Sequence, residues 1–173
     1  IYNIEAEAYG CRIKDPGGNG MPTVDSPIAA NVEELMSLNI DPPGGGRIQV
    51  GLCAARKIRE ARPDVDIRIP LSGPFSIACH LLGMESMICE LFTRSDAAET
   101  ALMHLAENQL RYARVVLEEG FGVSLFESSV TPPLLSPELF AQRIAPSLRK
   151  VLGGVQKSSQ SGTQLIIGGD TVH

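Results

Sequence analysis

The chain has 173 residues, of which 43% are hydrophobic, 20% are charged and 5% are aromatic, with a net charge of −5. This is the composition of a globular domain with a substantial core, and it differs from that of a disordered chain. The acidic balance offers no basic surface for nucleic acid or an anionic membrane, and no apolar run approaches the roughly 20 residues that span a bilayer. We therefore predict a single cytoplasmic domain over residues 1–173, with neither nucleic acid nor a membrane as a partner.

Residues 1–65 form a loop-rich lead-in that is predicted to contain two helices. The segment 14–27 is dense in Gly, Pro, Asn and Asp, which favour loops. Ser26-Pro27 then fits a helix N-cap followed by Pro in the first turn. The second helix is predicted over 47–62. Its expected apolar face consists of Val50, Cys53, Ala54, Ile58 and Ala61.

Residues 66–173 alternate between strands and helices. The strands are predicted at 66–71, 122–126 and 164–167, and the helices at 75–91, 95–119 and 136–152. The helix at 95–119 has the clearest helical spacing of apolar residues, and Gly120 is a suitable residue to end it. Because such alternation places parallel strands side by side with helices outside them, we predict an α/β fold, a portion of a (βα)8 TIM-type barrel.

The predicted strands end in small or polar residues, namely Ser72-Gly73, Glu127-Ser128-Ser129 and Gly168-Gly169-Asp170. In a (βα)8 barrel the carboxyl ends of the strands build the active site. A doubly wound sheet would also bind ligands there, but no GxGxxG stands between a strand and a helix, which weakens its nucleotide-binding version. The units present amount to about half a barrel. We expect the chain to be part of a longer one, or its open edge to be covered by another chain.

Several ordered motifs carry a family resemblance. They are SGPFSIACHLLG at 72–83, NQLRYA at 108–113, EEGFGVSLFESS at 118–129, PPLLSPELFAQRIAPSLRKVL at 132–152 and GGDT at 168–171. Together they resemble the uroporphyrinogen decarboxylase superfamily. The resemblance implies a (βα)8 barrel of which this chain is the middle part. It also implies one of two chemistries, either decarboxylation in the haem pathway or methyl transfer between a corrinoid carrier protein and a small acceptor.

Departures from the decarboxylase pattern favour the methyltransferase branch. Decarboxylases usually follow the Gly-Pro turn with a Trp-Thr pair and, further on, a tyrosine, where this chain has Phe75-Ser76 and His80. Their octacarboxylate substrate also requires a basic pocket, which the predicted strands do not supply, whereas PPLLSPELF resembles the methyltransferases. We therefore predict a corrinoid-dependent methyltransferase. The alternatives are a uroporphyrinogen decarboxylase and a non-catalytic barrel remnant that acts as a binding module.

The residues before Gly169-Asp170-Thr171 bear on the acceptor. Thiol-methylating members that resemble this chain carry a zinc-binding His-x-Cys pair there, and this chain has Ile166 and Gly168 instead. Cys79 and His80 are neighbours that point about 100° apart on a helix, so they are a poor metal pair. We therefore expect no metal site, and tetrahydrofolate rather than a zinc-activated thiol as acceptor. The resemblance implies that a partner protein supplies the methyl-corrinoid.

The expected site lies at the strand ends. Asp170 is the first candidate, and Glu127 the second, to orient the acceptor and assist proton transfer. The expected substrate-binding residues are Phe75, His80, Ser128, Ser129, Gly168, Gly169 and Thr171. Three other interpretations stay open, since Glu127 could accept hydrogen bonds from loop N–H groups, His80 could be a packing residue and Asp170 could cap a helix. The sequence does not predict an oligomeric state.

Overall fold

The computed structural model describes residues 3–40, 46–130, 134–158 and 163–168. Its helices are α1 (Ile4–Ala8), α2 (Val32–Ser37), α3 (Gly46–Ala61), α4 (Pro74–Leu82), α5 (Met84–Thr93), α6 (Ser95–Glu118), α7 (Pro137–Leu139) and α8 (Ala145–Ser158), with a π-helical turn at Phe140–Ile144 between the last two. Its strands are β1 (Ile13–Lys14), β2 (Thr23–Val24), β3 (Arg68–Ser72), β4 (Gly122–Glu127) and β5 (Thr163–Ile167).

The main sheet is parallel, with the strand order β3-β4-β5. Leu71 lies opposite Leu125, which in turn lies opposite Leu165. Helices α4 to α6 connect β3 to β4, and α7 and α8 connect β4 to β5. This is the predicted arrangement of parallel strands joined by helices. The carboxyl ends of the three strands therefore lie along one edge of the sheet, which we call the mouth.

Helix α6 is the centre of the packing. It contacts α2, α4, α5 and α8 as well as β3 and β4. Its predicted stripe is confirmed, because Leu117 is half-buried and the other residues of the stripe are buried: Ala98, Leu102, Leu105, Ala106, Gln109, Ala113 and Val116. Gly120 follows the helix with φ +80°, the left-handed conformation expected of a residue that ends a helix.

The predicted start of the first lead-in helix is wrong. Helix α2 begins at Val32, and the Asn31 side chain caps it by accepting a hydrogen bond of 2.8 Å from the Glu34 N–H. The Glu34 carboxylate accepts a bond of 2.8 Å from the Ala30 N–H in return. Such a reciprocal cap satisfies two otherwise unpaired donors, so it outcompetes the Ser-Pro start five residues earlier.

The predicted apolar face of α3 is also wrong. The helix buries Ile48, Leu52 and Ala55, whereas Val50 is 66% exposed and Ile58 is 50% exposed. Both sets of residues have helical spacing, so periodicity alone does not distinguish them. Tertiary contacts determine which face is buried, because α1 and β3 pack on the face that carries Ile48.

The predicted helix at 75–91 is two helices that meet at Gly83. Gly83 has φ +94°, and α4 and α5 are bent by 111° there. A conformation of this kind suits glycine and interrupts the helix. In the part of the chain that the structure describes, no single helix is long and apolar enough to cross a membrane.

One glycine inside a helix and one just after a helix should respond oppositely to substitution by alanine. Gly153 lies inside α8, and an added Cβ would meet nothing within 4 Å, so Gly153→Ala should raise the free energy of unfolding by about 0.5–1 kcal/mol. Gly120→Ala should lower it by about 1–2 kcal/mol because of the positive φ. Chemical denaturation measures both values, and a stabilising Gly120→Ala would contradict the left-handed conformation.

Candidate active site at the carboxyl ends of the strands

The carboxylate of Glu127 is the centre of the mouth. Glu127 is the last residue of β4 and is fully buried. It accepts hydrogen bonds from the backbone N–H of Phe75 at 3.3 Å and of Ser76 at 2.8 Å, and also from the Ser76 hydroxyl. Because these N–H groups belong to the first turn of α4, the carboxylate lies at the positive end of that helix.

The same network joins the ends of all three strands. The Ser129 N–H donates to the Ser76 hydroxyl oxygen at 3.1 Å, which ties the loop after β4 to the start of α4. The Gly168 N–H, just past β5, donates to the Glu127 backbone oxygen at 3.2 Å. The mouth is therefore built around one side chain from the central strand.

Burial raises the pKa of Glu127 to about 7, although its hydrogen bonds from Ser76 and Phe75 lower it. Cys79 lies close by, and its pKa is raised by burial and then by the charge of Glu127. A carboxyl group with a pKa near 7 can hold or release a proton at neutral pH, as a general acid or base must.

Gly73 is the residue that lets the carboxylate approach the helix. A Cβ at this position would lie 2.1 Å from Glu127 Oε2, far inside contact distance. The Gly-Pro turn after β3 thus changes the direction of the chain and also allows the Glu127 carboxylate to lie close to the backbone.

Helix α4 connects this network to a cavity of about 280 Å³. Cys79 and His80 follow Ser76 by one helical turn and line the cavity together with Asn3, Thr23, Val24, Asp25, Ser26 and Pro27. Burial lowers the pKa of His80, so its imidazole is favoured in the neutral form, which can both donate and accept a hydrogen bond.

The structure groups the predicted site residues unevenly. Glu127, Ser129 and Gly168 belong to one hydrogen-bonded network, and the backbone of Ser128 borders Gly168. His80 lines the cavity instead. Gly169, Asp170 and Thr171 lie outside the described residues.

The expectation for Phe75 needs correction. Its side chain is fully buried in the core, because the first turn of α4 directs it inward, so the ring offers no surface to a substrate. What Phe75 contributes to the site is the backbone N–H that it donates to Glu127.

Ile166 and Gly168 do not fit a zinc centre. A Cβ at Gly168 would lie 2.3 Å from the Ser128 carbonyl oxygen, so this position has no room for a cysteine unless the backbone moves. Ile166 is an apolar residue of β5 that cannot ligate a metal. No group of three or more His, Cys, Asp or Glu side chains in the described ranges could hold a metal ion.

A comparison with protein-family models identifies the family of this chain. The model of the uroporphyrinogen decarboxylase (URO-D) family matches residues 2–171. The chain belongs to the URO-D family. The resemblance drawn from the sequence motifs is thereby confirmed.

Relatives of this URO-D chain carry methyltransferase names. It is 32% identical to "Methylcobamide:CoM methyltransferase MtaA" of Methanosarcina barkeri over 88% of its length and 45% of the relative's. It is 26% identical to "Methylcobamide:CoM methyltransferase MtbA" of Methanosarcina acetivorans over 98% and 50%. A solved structure, "methyltransferase from Methanosarcina mazei", superposes with a TM-score of 0.80 and 29% identity over 95% and 48% of the two chains. The chain thus spans about half the length of these proteins, and its fold class is confirmed.

A second buried carboxylate in this URO-D chain is not predicted by the sequence motifs. Glu5 of α1 accepts hydrogen bonds from the Ser72 N–H at 2.6 Å and from the Gln109 side chain. Burial raises its pKa to about 7. Two signals could have indicated it, namely a glutamate between apolar neighbours in IEAEA and a glutamine inside the apolar stripe of α6.

The two raised pKa values predict how stability depends on pH. Glu5 and Glu127 have an ordinary pKa of 4.5 and about 7 in the folded chain, so between these values the folded state binds more protons than the unfolded state. The free energy of unfolding should therefore fall as the pH rises from about 5 to 7, by at most about 1.4 kcal/mol per pH unit for each group, and level off above that. Denaturation at a series of pH values measures it.

The matched control is Glu127→Gln, which cannot titrate. Its stability should vary less with pH over the same window, while the opposite contribution of His80, whose pKa is lowered, is present in both proteins and cancels in the difference. Equal slopes in the two proteins would contradict a titration of Glu127 near neutral pH.

Proposed function

We propose that this protein is a methyltransferase that moves a methyl group between a corrinoid carrier protein and a small acceptor. The observation that carries the proposal is the cavity of about 280 Å³ that Cys79 and His80 of α4 line, one helical turn after the Ser76 that binds the buried Glu127 carboxylate, whose pKa is about 7. The relatives' names, which specify methylcobamide as a substrate, supply the reaction class.

The size of the cavity supports a corrinoid presented by a partner. Sites for drug-sized ligands occupy about 300–1,000 Å³. A cavity of about 280 Å³ therefore suits the reacting part of an acceptor, such as the pterin ring of tetrahydrofolate, and is too small to enclose a corrin ring. When bound at the mouth, a methyl-corrinoid would supply the methyl group for in-line displacement, and the role of this chain is to hold the acceptor in the line of attack.

The proposed acceptor is tetrahydrofolate rather than a zinc-activated thiol. The relatives' names specify CoM, whose thiol would need activation to a thiolate. Ile166 cannot ligate a metal, and Gly168 has no space for a ligand side chain, which argues against that activation here. The nitrogen of a reduced pterin reacts without a metal, provided that nearby groups orient it and take up its proton.

We assign the role of each site residue from its position in the fold or in the sequence. His80 lines the cavity and can hydrogen-bond to the acceptor as neutral imidazole. Glu127 holds the first turn of α4, on which His80 depends, and can exchange a proton at neutral pH. Asp170 stays our first candidate to orient the acceptor, since it follows β5 in the sequence. Ser128 and Ser129 offer polar groups at the end of β4.

The decarboxylase alternative has less support. Among the described residues that line the cavity, none is Lys or Arg, so the lining supplies no cation for a substrate with many carboxylates. Asp25, which lines it, would repel such a substrate, although Arg12 partly neutralises its charge through a hydrogen bond of 2.8 Å.

The test uses the intact natural protein with methylcobalamin, and it follows the loss of the methyl–cobalt absorbance. We expect turnover with tetrahydrofolate that a metal chelator does not inhibit. Asp170→Asn should lower the rate by about 10²-fold, the lower end of general acid–base contributions. Asp96→Asn is the control, because the Asp96 side chain is fully exposed and belongs neither to the Glu127 network nor to the lining of the cavity.

Three results would contradict the proposal in different ways. Chelator-sensitive turnover with a thiol would contradict the zinc-free mechanism. Full activity of both Asp170→Asn and Glu127→Gln with tetrahydrofolate would contradict the assigned roles. No turnover with either acceptor would favour the decarboxylase or a non-catalytic binding module, and a porphyrinogen would then be the substrate to test.

A further inference from the structure

Glu5 and Gln109 bind both backbone groups of the last residue of β3. Glu5 Oε1 accepts a hydrogen bond of 2.6 Å from the Ser72 N–H. The Gln109 side-chain nitrogen donates both to Glu5 Oε2 and to the Ser72 carbonyl oxygen. The three residues are buried, although they come from α1, β3 and α6, which lie far apart in the sequence.

These bonds lie on the edge of β3 that faces away from β4. The Gly73 N–H donates to the Phe126 carbonyl oxygen at 2.7 Å, and the Gly122 N–H donates to that of Ile67 at 2.9 Å. In a parallel pair, alternate residues of a strand bond to the same neighbour, so the N–H and C=O of Ser72 point to the other side. Glu5 and Gln109 satisfy them there, where they would otherwise be buried and unpaired.

We infer that Glu5 and Gln109 are positioning residues that fix Ser72 and thereby align the N–H groups of Phe75 and Ser76 that bind Glu127. Only Gly73 and Pro74 separate Ser72 from those groups. The inference rests on the proposed function for its catalytic meaning, because it concerns the alignment of the carboxylate assigned to the mouth.

The chain between Ser72, which Glu5 binds, and the N–H groups that bind Glu127 has little conformational freedom. Pro74 has a fixed φ, and Gly73 lies so close to Glu127 that even a methyl group would not fit between them. A shift of Ser72 along the strand therefore moves the start of α4 relative to the Glu127 carboxylate. Charge-assisted hydrogen bonds weaken when their donors move out of line.

The groups around Glu5 indicate how tightly it is enclosed. Tyr9 and Tyr112 lie close enough that the charge of Glu5 raises the pKa of both phenols, after burial as the larger cause. The Gln109 side-chain oxygen is buried and has no hydrogen-bond partner among the described residues. Gln109 therefore keeps its nitrogen towards Glu5 and Ser72 at the cost of leaving its oxygen unpaired, which is expected if those two bonds set its orientation.

The test is a titration of Glu127 in the intact natural protein, observed by carbon-13 NMR of its side-chain carboxyl group. Glu5→Gln places an NH₂ group opposite the Gln109 NH₂ group, so the bonds to Ser72 loosen. We expect the proton affinity of Glu127 to rise by about threefold or more, because hydrogen bonds to the carboxylate form are lost. Gln109→Leu removes the shared donor and should shift the titration in the same direction, which keeps the test open if Glu5→Gln does not fold.

The direction in which the proton affinity of Glu127 changes distinguishes a positioning role from a purely electrostatic or structural one. Loss of a negative charge alone would lower the proton affinity of Glu127, and a merely structural role would leave it unchanged, so either result would overturn the inference. Glu7→Gln is the matched control, since Glu7 lies two residues further along α1 and pairs with Arg47 at 2.6 Å on a half-exposed surface. The titration involves no methyl transfer, so it can fail or succeed independently of the proposed function.

Discussion

The structure of the mouth depends on one interaction, the binding of the buried Glu127 carboxylate to the first turn of α4. A buried carboxylate is costly unless its oxygens are satisfied, and here the N–H groups of Phe75 and Ser76, the Ser76 hydroxyl and the positive end of the helix provide that compensation. Because the compensation comes from α4, the interaction fixes the helix that carries Cys79 and His80 to the cavity. Packing of the sheet and chemistry at its edge are therefore linked through a single side chain.

The regular part of the fold could be predicted from the sequence. The three strands and α6 are predictable because their apolar spacing extends over many residues and because small or polar residues mark their ends. The sequence also left open that Glu127 accepts hydrogen bonds from loop N–H groups, and the structure shows that the donors are instead N–H groups in the first turn of α4. These hydrogen bonds are compatible with a role of Glu127 in proton exchange, because burial raises the pKa of its carboxyl group to about 7.

Sequence patterns do not predict the structure where one helix has two possible buried faces, or where residues far apart in the sequence come into contact. The two apolar stripes of α3 are equally periodic, and only the contact with α1 and β3 selects Ile48 over Val50. Glu5 reaches Ser72 across 67 positions of the sequence, and no local pattern predicts such a pair. The crowding of Gly168 against Ser128 has the same origin, since it arises from the approach of two loops at neighbouring strand ends.

The central claim is that the Glu127 carboxylate and Ser76 stabilise each other, and a double-mutant cycle tests it most directly. The free energies of unfolding of the wild type, Ser76→Ala, Glu127→Gln and the double variant would be measured at pH 8, above the pKa of about 7. The account predicts a coupling energy of about 1.5–3 kcal/mol, as expected for a hydrogen bond to a buried charge. A coupling below about 0.5 kcal/mol, the scatter found for independent sites, would contradict it.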